Sequence, residues 1–172
     1  MKPQIFKLLG ICIFLFTTIH VLSHLSKDGT LDVSITKWFI VSSCFILVCV
    51  YFQTFFKILG SDSFKNHSEI YYLVLFFSIL LLSIVVLFAY NFKQLYDIDT
   101  KAFYFQSEVK FSNLVDWIYF SSVTFATVGY GDAFPATTEA RVLCTLEIIT
   151  GIFLLIIVIS NFDKFKKFFS LD

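Results

Sequence analysis

The sequence predicts an all-α integral membrane protein, with four membrane-crossing helices and one shorter helix that enters and leaves on the same side. Three observations lead there. Of 172 residues, 58% are hydrophobic and only 15% charged, at a mean hydropathy of +0.82, which is not the composition of a soluble domain. Four apolar stretches reach the roughly 20 residues needed to cross about 30 Å of hydrocarbon as a helix. A fifth apolar run is too short to cross.

The first stretch runs from about Leu8 to Leu25, between Lys7 and Lys27. Its length, and the lack of a small-residue cleavage site after it, argue for a retained span rather than a signal peptide. A short polar loop leads to the second, Trp38 to Phe56, between Lys37 and Lys57. Residues 1–60 thus read as an N-terminal transmembrane hairpin, and 61–172 as a second unit. That unit opens with the third span, Ile70 to Tyr90, in an outer helix expected over 70–92. Trp38, Tyr71, Tyr72 and Tyr90 sit where aromatic side chains anchor at the membrane interface.

The polar stretch NFKQLYDIDTKAFYFQSEVK then interrupts the pattern, and an apolar run from Leu114 to Ala126 follows. It gives about 20 Å of helix, too little to span. Asn113 with Asp116 three residues later has the form of a capping box, so a re-entrant helix is expected over 113–126. Irregular backbone at that depth is tolerated only against protein or water. The last span, Val142 to Ser160, lies in a helix expected over 139–162.

Thirteen Lys+Arg balance thirteen Asp+Glu, so no basic excess exists to hold nucleic acid. Cys12, Cys44, Cys49 and Cys144 lie in apolar runs with no metal-type spacing and read as buried small hydrophobes. No Ser/His/Asp grouping, phosphate loop or metal-ligand cluster points to an enzyme. His20 and His24, one turn apart, are too few to hold a metal and read as interfacial residues. Glu147, inside the last span, is costly in lipid and should face protein, bonding behind the short helix.

Directly after the short helix stand Thr127, Val128, Gly129, Tyr130, Gly131 and Asp132. The string TVGYGD, with a half-membrane helix before it and spans on both sides, resembles the selectivity filter of tetrameric potassium channels. A filter must replace the water around K⁺ with oxygens at little net cost, and backbone carbonyls do so without adding charge. Alternate residues then need positive φ, which Gly129 and Gly131 reach without a Cβ clash. The resemblance implies that the carbonyls of Thr127, Val128, Gly129 and Tyr130 hold K⁺ as the permeant ion, with no cofactor. Val128 and Tyr130 turn their side chains away from the axis. The short helix directs its negative dipole end at the cavity.

One chain supplies a quarter of such a ring, so the resemblance implies a homotetramer in a lipid bilayer. It covers about Ile70 to Phe169 and is nearest to two-helix prokaryotic pores. In that alignment Gly151 matches the gating hinge, and Ile152, Leu155 and Ile159 follow by helical spacing as cavity lining. Asp132, Thr124, Tyr119, Phe120 and Glu147 are the expected filter supports, with Thr124 as a partner for the Tyr130 hydroxyl. Tyr119 and Phe120 replace a common Trp-Trp pair, and Val123 stands where some members have Glu. Asp132 is therefore expected to be less tethered, with altered filter inactivation.

The family topology implies cytoplasmic termini in the cell membrane and places 91–141 outside, a mouth in which acidic residues outnumber basic ones. No span carries repeated Arg or Lys, so steep voltage gating is not expected. Only about ten residues follow the inner helix, which leaves no room for an attached ligand-binding domain. Opening would come from the membrane, pH, the filter or a regulatory protein. The rival reading is a non-conducting subunit that modulates or scaffolds a related channel.

Overall fold

The computed structural model describes residues 17–29, 31–59, 67–106 and 111–160. Helix α1 covers residues 17–27. It is followed by α2 (Val33–Leu59), α3 (His67–Ile98), β1 (Phe103–Phe105), α4 (Leu114–Phe125), β2 (Ala133–Pro135) and α5 (Thr138–Ser160). The chain is mostly helical, and three of its helices are long and apolar enough to cross a membrane, over Val33–Thr54, Phe77–Ile98 and Thr138–Ser160. Most of the first expected span lies outside the described residues, as do Cys12, Phe162, Phe165 and Phe168 and the side chains of Tyr71 and Tyr72.

The third span ends later than expected. Its helix runs on to Ile98 because the polar-looking stretch after Tyr90 keeps helical periodicity, with Phe88, Asn91, Phe92 and Leu95 all at 0% exposure on one face. Polar composition hid a buried stripe. That stripe is where α3 receives α4. Asn91 bonds locally, donating from Nδ2 to the Leu87 carbonyl at 2.8 Å.

A two-stranded antiparallel sheet was not foreseen. β1 pairs with β2 in the register Phe103↔Pro135, Tyr104↔Phe134 and Phe105↔Ala133. Pro135 has no N–H to give and stands at the end of the ladder. Tyr104 and Phe134 face each other across the strands with ring centroids 5.0 Å apart, a cross-strand pair of the stabilising kind. Beyond the strands the pairing continues: Gln106 N–H donates to the Asp132 carbonyl at 2.9 Å, and Ala136 N–H to the Ala102 carbonyl at 2.8 Å.

Under the sheet the aromatic richness of the chain has its structural use. Trp117 of α4, 1% exposed, packs edge-on to Phe103 at 4.9 Å and Phe111 at 5.3 Å, and lies tilted against Tyr96 at 5.4 Å. Phe120 packs edge-on to Phe92 at 5.1 Å and Phe103 at 5.5 Å. Such pairs contribute about 0.5–1.5 kcal/mol each beyond burial. They lock α4 between α3 and the sheet.

The N-terminal segment is not separate from this core, since α2 packs on both α3 and α5. At the end of the molecule that carries the sheet, Lys37 reaches Asp99 at 2.5 Å, and Asp97 receives Lys93 at 2.6 Å and Lys27 at 3.4 Å. Cys44 and Cys144 are buried and free, whereas Cys49 is exposed on the surface of α2 rather than buried.

Candidate functional site

Helix α4 aims the segment that follows it. Its start is fixed by a full capping box: Asp116 N–H donates to Asn113 Oδ1 at 3.1 Å, and Asn113 N–H donates back to Asp116 Oδ2 at 3.1 Å. At the other end, with Ala126 at the cap, the helix is closed by the segment itself. Thr127 N–H donates to the Thr124 carbonyl at 3.0 Å, Val128 N–H to the Val123 carbonyl at 2.9 Å, and Gly129 N–H to the same carbonyl at 3.3 Å. The last carbonyls of a helix, normally orphaned, are satisfied in this way.

The consequence is an asymmetry in the segment. Its first N–H groups are taken up by α4, while among the described residues the carbonyls of Thr127, Val128, Gly129, Tyr130 and Gly131 accept no hydrogen bond. Backbone φ is positive at alternate positions, +56° at Thr127, +54° at Gly129 and +78° at Gly131. Alternation of left-handed and ordinary residues is the pattern that lets successive carbonyls face one side. A Cβ on Gly129 or Gly131 would meet nothing within 4 Å, so conformation, and not space, is what requires glycine at these two positions. Thr127 holds positive φ without being glycine, a strain of about 1–3 kcal/mol that its surroundings must sustain.

Tyr130 lies open in the single chain, 69% exposed, and Val128 is 53% exposed. The Tyr130 ring stacks on Tyr119 of α4, with centroids 6.3 Å apart and planes 2° from parallel. No hydrogen bond joins Thr124 to Tyr130 among the described residues. The Tyr119 side chain instead lies where the Asp132 carboxylate bears on its hydroxyl. Asp132 is also held through its backbone by Gln106 and accepts from Ala133 N–H on Oδ1 at 3.0 Å. A groove of about 650 Å³, lined by Thr127, Gly129, Tyr130, Asp132, Thr145 and Ile148, runs between this segment and α5.

Behind α4, Phe120 belongs to the aromatic core, and Glu147 of α5 is fully buried, with its Oε1 in hydrogen-bond contact with Ser121 of α4. Ser121 Oγ also donates to the Val85 carbonyl of α3 at 2.8 Å. Sequence reasoning singled out Glu147 but not Ser121, whose only signal is a hydroxyl on the buried face of an apolar helix.

Gly151 lies where α5 passes the end of α4. A Cβ there would stand 2.8 Å from the Phe125 carbonyl, so in this conformation Gly151 permits close contact between the helices. Ile152, Leu155 and Ile159 follow it as exposed positions of α5, at 46%, 60% and 63%, and within one chain they are not brought to the segment.

Two carboxylates of the expected acidic mouth are held in ion pairs. Asp97 and Asp99 are paired with Lys93, Lys27 and Lys37, and Asp116 is engaged in its cap. His24 lies 3.7 Å from Asp28, and its ring is 6.2 Å from that of His20. Among the described residues no cluster of His, Cys, Asp or Glu could hold a metal ion.

A match to a known protein family falls on this same region. A family model described as ion channel matches residues 76–167, from within α3 through α5. Over 38 residues, 22% of its length, the chain is 50% identical to two-pore potassium channel 4 of Arabidopsis thaliana, covering 13% of that protein. Over 48 residues, 28% of its length, it is 42% identical to potassium channel protein kcv of Paramecium bursaria Chlorella virus 1, covering half of that protein. No solved structure matches.

Proposed function

We propose a function from the premise that this chain belongs to the ion-channel family, as a potassium-channel pore: four copies conduct K⁺ passively and selectively through a ring of backbone carbonyls from Thr127, Val128, Gly129 and Tyr130. The observation that carries the proposal is the row of carbonyls from Thr127 to Gly131 with no hydrogen-bond donor, beside N–H groups already consumed by α4. Unpaired backbone acceptors at membrane depth are expensive. A dehydrating cation is the ligand that satisfies several at once.

Assembly as a homotetramer follows from the same requirement, because one chain offers one wall of such a ring. The open face of Tyr130 and Val128, and the groove beside them, are surfaces for a neighbouring copy. In this reading α4 is the re-entrant pore helix and α3 and α5 are the outer and inner helices. The first span, Leu8 to Leu25, completes four crossings, with both termini cytoplasmic in the cell membrane. Tyr119, Asp132, Phe120, Thr124 and Glu147 support the filter from behind. Gly151 is the point at which α5 would leave α4 on opening, and Ile152, Leu155 and Ile159 line the cavity below.

The test is electrical. Purified protein in planar bilayers should pass currents selective for K⁺ over Na⁺ and blocked by barium, and Gly129→Ala should abolish them. Currents that are unselective, or that persist unchanged in Gly129→Ala, would remove the filter from this segment.

A further inference from the structure

The hydrogens around Ser121 do not add up if Glu147 is ionised. Ser121 Oγ stands 2.8 Å from the Val85 carbonyl of α3 and also in hydrogen-bond contact with Glu147 Oε1 of α5. A serine hydroxyl carries one proton, and a carbonyl and a carboxylate carry none. With a charged Glu147, one of the two contacts would be bare oxygen against bare oxygen. Both side chains are at 0% exposure, so water cannot relieve it.

Nothing nearby compensates a charge either. The groups that bear on Glu147 from the packed elements are the Cys44 thiol of α2, the Cys144 thiol one turn earlier on α5, and Ser121 of α4. From α3 come the Val85 carbonyl and, through Cys44, Asn91, whose Nδ2 lies 3.7 Å from the sulfur. No Lys, Arg or His among the described residues pairs with Glu147. Its Oε2 has no hydrogen-bond partner, which is tolerable for the carbonyl oxygen of a neutral acid and severe for half of a buried carboxylate.

We propose that Glu147 is a neutral acid that donates its proton to Ser121 Oγ, so that a directed chain runs from Glu147 O–H to Ser121 O–H to the Val85 carbonyl. The chain joins α5, α4 and α3 behind the filter. It makes Glu147 a positioning residue of the pore helix, and this role rests on the channel reading above. Its proton is structural: losing it leaves Ser121 one hydrogen for two acceptors and puts a charge behind the pore helix. The support of the filter is then proton-dependent.

Infrared difference spectroscopy on the full-length channel in lipid vesicles at neutral pH, wild type against Glu147→Gln, reads the protonation state directly and does not depend on conduction. The expected result is the loss of one carboxylic-acid C=O stretching band in Glu147→Gln. Loss of carboxylate bands instead would overturn the proposal. Should Glu147→Gln fail to assemble, Ser121→Ala gives the same decision: a wild-type acid band shifting to higher frequency on loss of its acceptor supports the chain, and no acid band that shifts overturns it.

Discussion

Tyr119 and Tyr130 lie flat against each other, their ring planes 2° from parallel and their centroids 6.3 Å apart. The Asp132 carboxylate bears on the hydroxyl of Tyr119. One α4 residue thus stacks on the 127–132 segment and has that segment's acid near its tip.

The two contacts are separable. Tyr119→Phe keeps the stack and removes the hydroxyl, while Tyr119→Leu removes both. Tyr119→Phe is expected to speed the decay of K⁺ current several-fold during sustained conduction, and Tyr119→Leu to exceed it. Equal decay in Tyr119→Phe and wild type would show that Asp132 does not need the hydroxyl.

Glycines 129 and 151 are required for different reasons, and substitution should tell them apart. At Gly129 the space is free and the positive φ is the constraint, so Gly129→Ala adds about 1–2 kcal/mol of local strain and should remove selective current. At Gly151 the backbone is ordinary and the Phe125 carbonyl is in the way. Gly151→Ala should lower thermal stability, by about 1–3 kcal/mol for an overpacked contact, as read by thermal melting in detergent.

The capping box sets where α4 begins. Asn113→Ala removes one of its two bonds and should cost about 1 kcal/mol, again by thermal melting. Asn113→Asp keeps an acceptor at the same place and should retain most of that stability.

The Lys37–Asp99 pair predicts an acid limit. Partial burial pushes the Asp99 carboxyl up, but the Lys37 ammonium, the Lys101 N–H and the charges of both lysines outweigh it and hold the group below its ordinary value. A carboxyl depressed in the folded state contributes stability above its unfolded pKa, and loses it as pH falls through the lower folded value. Melting temperature should therefore drop as pH falls below about 4, and Asp99→Asn should flatten part of that slope. At neutral pH, Lys37→Met should cost roughly 1 kcal/mol, the upper end for pairs of this exposure.

The parts of the fold that the sequence announced are local ones. The pore helix is legible because an apolar run of the wrong length for a span stands between a capping box and a rare glycine-spaced string. The helical nature of 91–98 was hidden because Asn91 and Gln94 are polar yet buried, and only the spacing of Phe88, Phe92 and Leu95 speaks against composition there. The sheet was not legible at all. Each strand has three residues, the pairing joins Phe103 to Pro135, and no turn residue connects them. The contact between Ser121 and Glu147 is likewise a tertiary fact. Each residue read alone is an ordinary polar exception in an apolar helix.

The register of the small sheet has a mechanical meaning. A strand can shift against its partner only in whole residues, and a shift of one exchanges its two faces. Slipping β1 by one position would expel Phe103 from beneath the sheet and carry Gln106 away from Asp132. The Asp132 end of the 127–132 segment is therefore seated in a detent, in place or released with nothing stable between. Because Lys37 and Lys27 grip the chain just ahead of β1, the first two helices have their hand on that catch.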